Sequence, residues 1–350
     1  MATNLFTLHS DVTQSAFTRE SLVAGKLCTD YEFTGAKTVK ILTPLTVPMN
    51  DYQRTGANRY GNPTEMQDII QELTLTQDRS FALTIDKGND ADQGYAKNAG
   101  KMLMLQIAER AVPEFDRYVL NRLANKAGFI TAATEAMTKS NICERISEAG
   151  AKLDDMEVPA YDRILFVSTQ GYKMLKHSDE FMAVQELGRD ALAKGVVGSY
   201  DNMEVIKVPA TRWPANVNFM IVHKNAATAP VKLSETKLHK DPPGISGHLL
   251  EGREYYDCFV FAPRAWGVYV EIDTTDGNAT VCKAPVISDT GAISCETEGT
   301  VIFYTVDGSD PRYSPTAVQG TAAGAVSGTT VKAYAHKDGA FDSAVTEKKF

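Results

Sequence analysis

The stretch "QELTLTQDRSFALTIDKGNDADQGYAKNAGKMLML", residues 71–105, carries the decisive pattern. Leu73, Leu75 and Gln77 fall on one face, and Phe81, Leu83 and Ile85 follow beyond the charged "QDR". A period of two marks half-buried strands. The pattern stops at Gly88 and restarts at Asp92 with helical spacing. Leu103, Met104, Ile107, Ala108, Ala111, Val112 and Phe115 then share one side of a helix expected over about 92–126. Pro113 should kink that helix, and Gly128 is its expected stop. The question this stretch raises is why Asp78 and Arg79 interrupt a good β-ribbon with no catalytic partner in sight.

Working outward, residues 1 to about 38 read as an arm with one modest helix candidate at 14–24. "TVKILTPLTV" is a strand, and "PMNDYQRTGANRYGNPTEMQ" is an exposed hairpin tip of Gly, Pro, Asn and Arg. Strands resume at Ile69 and run to Asp86. A long two-stranded projection has open edges, which suits a chain whose neighbour covers it. Downstream, 138–153 is an amphipathic helix, "RILFVS" (163–168) a buried strand, and 169–194 one or two short helices. Strands follow at 203–209, 218–223 and 229–233, then "EYYDCFVFA" and "AWGVYVEI". These make a mixed α+β domain. After Ile272 the polar "DTTDGNAT" leads into short alternating runs with Asp-Gly turns at 307–308 and 338–339, the pattern of a small β-sandwich.

The 350 residues, 43% of them hydrophobic, are enough for a sizeable core and more than one domain. A net charge of −8 argues against a protein whose main work is gripping nucleic acid, though not against a surface that encloses it. No apolar run is long enough to span a membrane, and the N-terminal stretch lacks the features of a secretory signal. The five cysteines are scattered and read as free thiols, with Cys282 and Cys295 as the alternative disulfide pair.

Chemistry-bearing motifs are weak throughout. Gly94 with Gly100 and Lys101 misses phosphate-loop spacing by one residue, and Met102 stands where a hydroxyl is needed. "SETK", Ser234 to Lys237, matches S-x-x-K without its companion elements. The six histidines never fall at the i, i+4 spacing of a helical metal site. Asp307 and Asp310 belong to an Asp-Gly turn, and Asp86, Asp90 and Asp92 to a loop and a helix start. No catalytic, metal or cofactor-binding residues are expected, and the chain is not expected to be an enzyme.

The order of elements is more telling. "ELTLTQDRSFALTID" (72–86), "ERAVPEFDRYVLNRLA" (109–124), "GVVGSYDNMEVIKVP" (195–209) and "REYYDCFVFAPRAWGVYV" (253–270) resemble, in the correct order, stretches of the tailed-bacteriophage major capsid proteins. That resemblance implies the Hong Kong 97-type coat fold: an arm (1–38), an extended loop with flanking strands (39–90), a spine helix (91–128), a mainly axial domain (129–228) and peripheral-domain strands (229–275). After a linker (276–282), "VIFYTVDGSDPRYSPT" and "GTTVKAYAHKDGAFDSAV" make 283–350 similar to the immunoglobulin-like modules of some carbohydrate enzymes and phage proteins.

Function follows as expectation. The resemblance implies hexamers and pentamers of an icosahedral virion shell enclosing double-stranded DNA, with separate scaffolding protein, a portal, decoration proteins and assembly in the host cytoplasm. The arm is too short for a large built-in scaffolding domain. In this fold the loop lies over a neighbouring subunit, so Asp78 and Arg79 would pair across an interface. Tyr52, Arg54, Arg59 and Tyr60 at the tip are further contact candidates, since Arg and Tyr dominate interface cores. The alternative is a solvated ribbon with local Asp–Arg pairs worth little. The tail, on its polar linker, is expected to project outward, so that a chain ending at residue 276 still assembles. The family's namesake joins subunits by an isopeptide bond from a loop lysine. Between Lys40 and Lys87 this sequence has no lysine, so the shell is expected to be non-covalent. A glycan-binding or glycan-active surface protein is the competing reading, suggested by the tail alone.

Overall fold

The computed structural model describes residues 20–31, 38–44, 49, 51–55, 58–61, 65, 68–88, 99–178, 198–277, 279–324 and 326–350. Residues 92–98 of the expected spine helix and 179–194 of the expected short helices lie outside them. Of the helix candidate at 14–24, the described residues 20–24 are not helical: an irregular stretch bends at 22–23 into a turn that starts at Ala24.

Strands β1 (Thr38–Pro44) and β2 (Asp68–Thr74) pair antiparallel, Thr38 opposite Thr74 and Pro44 opposite Asp68. One face of this ribbon sets Val39, Ile41 and Leu73 against Leu75, Cys28 and Phe261. Strand β3 (Gln77–Asp86) does not continue β2. The chain breaks at Leu75–Thr76, where the buried Asp257 carboxylate accepts from the Thr76 amide (2.9 Å), the Thr76 hydroxyl (2.7 Å) and the Tyr118 hydroxyl (2.7 Å). A carboxylate 181 residues away thus ends one ladder and starts another.

The long helix has three parts: α1 (Ala99–Gln106), a π-turn over Ile107–Ala111, and α2 (Val112–Asn125). Pro113 has no N–H to offer the Glu109 carbonyl. The wide turn before it absorbs that loss, with the Val112 N–H reaching back five residues to the Ile107 carbonyl. The expected kink site is therefore a π-turn. The helix ends at Asn125, before Gly128, whose role is close approach. Its N–H donates to the Ala265 carbonyl at 3.1 Å, and a Cβ there would sit 2.1 Å from that oxygen. Gly128→Ala should destabilise the chain by about 1–3 kcal/mol through forced backbone movement, read as a lower urea midpoint at unchanged slope.

Next come β4 (Phe129–Ala133), α3 (Ile142–Asp155), β5 (Arg163–Ser168), α4 (Thr169–Lys176), β6 (Ser199–Tyr200), β7 (Met203–Val208) and β8 (Val217–His223). They are followed by β9 (Ala227–Thr228), β10 (Val231–Lys240), β11 (Gly247–Tyr256), β12 (Phe259–Val260) and β13 (Val268–Asp273). Six strands form a mixed sheet in the order β4-β13-β8-β5-β7-β6. Val119, Leu120 and Leu123 of α2 cover one face, against Phe166, Met220, Val222 and Val270. Ile142, Ile146 and Leu153 of α3 cover the other, against Leu165, Phe219, Ile221 and Tyr269. Burial on both faces is why "RILFVS" and "NFMIVH" read as unbroken apolar runs.

A second sheet, β10-β11-β3, is antiparallel, with Gln77 opposite Tyr256 and Asp86 opposite Gly247. Phe81 lays its ring over Gly252 across the ladder, where a Cβ would lie 2.2 Å from the ring. The remaining strands, β14 (Val286–Ile287), β15 (Ile293–Ser294), β16 (Val301–Thr305), β17 (Val318–Gln319), β18 (Thr330–His336) and β19 (Thr346–Lys349), build the C-terminal module. A two-stranded and a four-stranded sheet enclose Ile287, Ile293, Ile302, Val331 and Ala333. All five cysteines, Cys282 and Cys295 included, are free.

Candidate assembly surface

The connection between β1 and β2 carries the tip residues singled out from sequence. The Gln53 amide donates to the Arg59 carbonyl at 2.9 Å, and the Gly61 amide to Asn58 at 2.9 Å. Asn58 takes φ 56°, a left-handed setting that Asn tolerates. This closure brings the Tyr52 and Tyr60 rings to 5.0 Å, edge to face. Tyr60 is 86% exposed and Met49 99%, so an ordered aromatic pair is presented outward. Arg54 stands beside it, with no ion pair or hydrogen bond among the described residues.

Asp78 and Arg79 do not share a partner. Adjacent strand residues point to opposite faces, and each finds a counter-charge within the chain. The Arg253 guanidinium forks onto Asp78, Nε to Oδ1 at 2.8 Å and Nη2 to Oδ2 at 2.6 Å. That pairing holds the Asp78 carboxyl below its ordinary range. Arg79 turns the other way and donates from Nε to Glu114 Oε1 at 2.6 Å, on the first turn of α2. The two charges therefore tie β3 to β11 and to the helix. Sequence reading missed Arg253 and Glu114, because nothing local at positions 175 and 35 residues away marks them.

Two further ties bind distant segments to the helix. Buried Asp116 accepts from the Ser21 hydroxyl (2.6 Å), the Leu22 amide (3.0 Å) and Arg212 Nη1 (2.6 Å). Arg212 also reaches the Glu20 carbonyl at 2.8 Å. The end of the arm is thereby fixed to α2.

The tail is docked as well as linked. Arg312 of the module, nearly fully buried, donates from Nη1 to the carbonyls of Ala127 (2.8 Å) and Gly128 (3.1 Å), just past α2. Asp310 holds the other edge of the guanidinium, and the Tyr313 hydroxyl donates to the Lys126 carbonyl at 2.6 Å. Ala279 lies in the main core, with Val281, Tyr313 and Phe341 packed on it. The sequence suggested a tether; the structure has a polar seam that caps the helix end.

Ser234 and Lys237 lie on β10 three residues apart, on opposite faces of the strand, so they cannot act as a nucleophile and base. Among the described residues no group of three or more His, Cys, Asp or Glu is arranged to hold a metal ion. No helix among them is long and apolar enough to cross a membrane.

Solved phage structures share this fold. The Mycobacterium phage Che8 structure aligns at TM-score 0.64 and 18% identity, over 77% of this chain and 98% of that one. The capsid structure of cyanophage P-SCSP1u aligns at 0.64 and 13%, over 77% and 93%. The mature capsid asymmetric unit of bacteriophage PhiM1 gives 0.61 and 12%, over 79% and 93%. The chain has a phage capsid fold. The architecture is α+β, as the Hong Kong 97-type resemblance implied, followed by an all-β module. Residues 287–347 match the family described as Chitobiase/beta-hexosaminidase C-terminal domain. Comparison with curated proteins finds no match.

Proposed function

We propose that this chain is the major coat subunit of a tailed phage, assembling into hexamers and pentamers of an icosahedral shell around double-stranded DNA. The observation that carries this reading is the fold likeness, which spans 93–98% of three phage chains, two of them from capsid structures. The role is structural and not enzymatic, the location the virion, reached after assembly in the host cytoplasm. Scaffolding, portal and decoration proteins are the expected partners. Tyr52, Arg54, Arg59 and Tyr60 form the contact surface offered to a neighbour. Asp78 and Arg79 add to it through the faces their own pairs leave exposed. Electron microscopy of the expressed protein tests this: shells, tubes or capsomers are expected. Dispersed monomers that bind glycans would favour the second reading, which the C-terminal family match supports.

The shell is held without covalent links. Isopeptide formation needs a deprotonated lysine amine on the loop, and residues 41–86 hold no lysine. The flanking lysines are engaged, Lys40 with Glu72 at 2.7 Å and Lys87 with Asp241. Particles boiled in detergent under reducing conditions should run as a single band near 38.2 kDa. A ladder of covalent oligomers on that gel refutes the claim.

A further inference from the structure

A cavity of about 350 Å³ opens where the turn after α3 meets the two 3-10 turns at Lys224–Ala226 and Ala262–Gly267. Met156, Val158, Pro159, Pro263 and Trp266 make its apolar wall. His223, the last residue of β8, also lines it and is only 6% exposed. The imidazole Nδ1 accepts from the Asn225 amide at 3.2 Å, so the ring proton sits on Nε2. That N–H is buried and has no acceptor among the described residues. Burial holds the His223 pKa below its ordinary value; Arg163 and Arg264 push the same way and Asp162 opposes them. The ring is therefore a neutral donor. Gly267 backs its stem closely, since a Cβ there would lie 3.2 Å from the His223 Cβ and 2.9 Å from the Ala226 Cβ.

Arg264 stands at the same cavity and is exposed. Its Nη1 donates to the Asn225 carbonyl at a long 3.3 Å, and it has no ion pair among the described residues. Glu157, the acid of the lining, is exposed and does not pair with it. Arg163 nearby is already committed to Asp154 (2.6 Å) and the Pro159 carbonyl (2.9 Å). Tyr161 is 64% exposed, with its ring edge-on to the imidazole at 6.1 Å and no hydrogen bond from its hydroxyl among the described residues. A buried donor without an acceptor and a cation without an anion thus share one cavity with an apolar, aromatic wall. Such a lining suits an anionic acceptor carried on an apolar body. A carboxylate meets both needs, because a guanidinium grips it in a fork while one oxygen still accepts from an imidazole N–H. Inorganic phosphate brings no apolar body for the wall.

We propose that this cavity binds a carboxylate on an apolar body, with Arg264 and the His223 Nε2–H as donors, the Trp266 wall as the apolar seat and Tyr161 turning aside to admit it. The site goes beyond the coat-subunit reading and stands whether or not the chain forms shells. The test is calorimetric titration of the full chain with phenylacetate, and with phenylethanol as the uncharged probe of the same body. Phenylacetate should saturate, and phenylethanol should bind about tenfold more weakly or worse. Arg264→Gln, an exposed change that circular dichroism should show to be folded, is expected to lower phenylacetate affinity about tenfold or more, with Arg264→Lys recovering part. A second measurement, NMR with nitrogen-labelled histidine, follows the buried His223 N–H, which should shift on addition of phenylacetate. The carboxylate can belong to a free small molecule or to the end of a polypeptide. The tripeptide acid N-acetyl-Gly-Gly-Phe and its C-terminal amide separate these sources: a peptide acid that binds more tightly than phenylacetate points to a polypeptide end, and a weaker one to a free acid. No saturable binding of either acid overturns the proposal. So do phenylethanol or the peptide amide binding as well as the acids, a folded Arg264→Gln chain with unchanged affinity, or a His223 signal that stays still while phenylacetate binds.

Discussion

Arg312→Ala is expected to lower the unfolding free energy of the whole chain by about 3–5 kcal/mol, the scale of removing one partner of a buried ion pair. The change strands Asp310, which is only 14% exposed at its side chain, and removes both donors from the Ala127 and Gly128 carbonyls. Arg312→Lys should recover only part, because an ammonium cannot serve the carboxylate and two carbonyls at fixed angles. The readout is favourable. The two tryptophans, Trp213 and Trp266, both lie outside the module, so urea unfolding followed by their fluorescence reports the capsid part. An unchanged midpoint would mean that the module hangs free. For the same reason, a chain ending at Asp276 is expected to unfold at lower urea and to form shells poorly, against the tethered-tail expectation. Normal shells from that truncation would restore the decorative role.

Asp116→Ala is expected to cost a similar 3–5 kcal/mol or so, with a different signature. It leaves Arg212 buried beside no counter-charge and removes the acceptor that holds Ser21 and Leu22. Stability should fall, and protease should also cut sooner within residues 20–31, because that segment loses its anchor. Asp116→Asn keeps an acceptor oxygen and should be milder. A stable Asp116→Ala chain with unchanged cleavage would show that the arm is fixed by its apolar contacts, Val23 and Leu27, alone.

The parts legible in the sequence are those set by local periodicity and continuous burial. The runs of β5 and β8 declare their burial by being apolar on both faces. The stripe expected at Leu103–Phe115, by contrast, does not supply the core, since Met104 is 70% exposed and the buried residues of the helix include Val119, Leu120 and Leu123. The β10–β11 hairpin was not legible, because "VKLSETKLHK" is a charged edge strand with little alternation. The break at Thr76 was also hidden, since its cause is Asp257 on the far side of the chain. Among the site residues, the tip could be found because exposed Tyr and Arg crowd a Gly- and Pro-rich loop. The true partners of Asp78 and Arg79 could not be, because an ion pair leaves no pattern linking its two positions. Arg312 was concealed within "DGSDPRY", which reads as a turn and nothing more.

The seam at Arg312 also imposes an order of events during synthesis. The Ala127 carbonyl, just past the end of α2, leaves the ribosome 185 residues before the side chain that donates to it. At about 5–20 residues per second, that is a delay of roughly ten to forty seconds. For that interval the nascent chain holds a helix with an open end and an uncovered flank. Only a chain translated past residue 312 can close it. Products that stop before residue 312 would therefore leave the Ala127 and Gly128 carbonyls bare, so one late arginine separates chains that carry the seam from chains that do not.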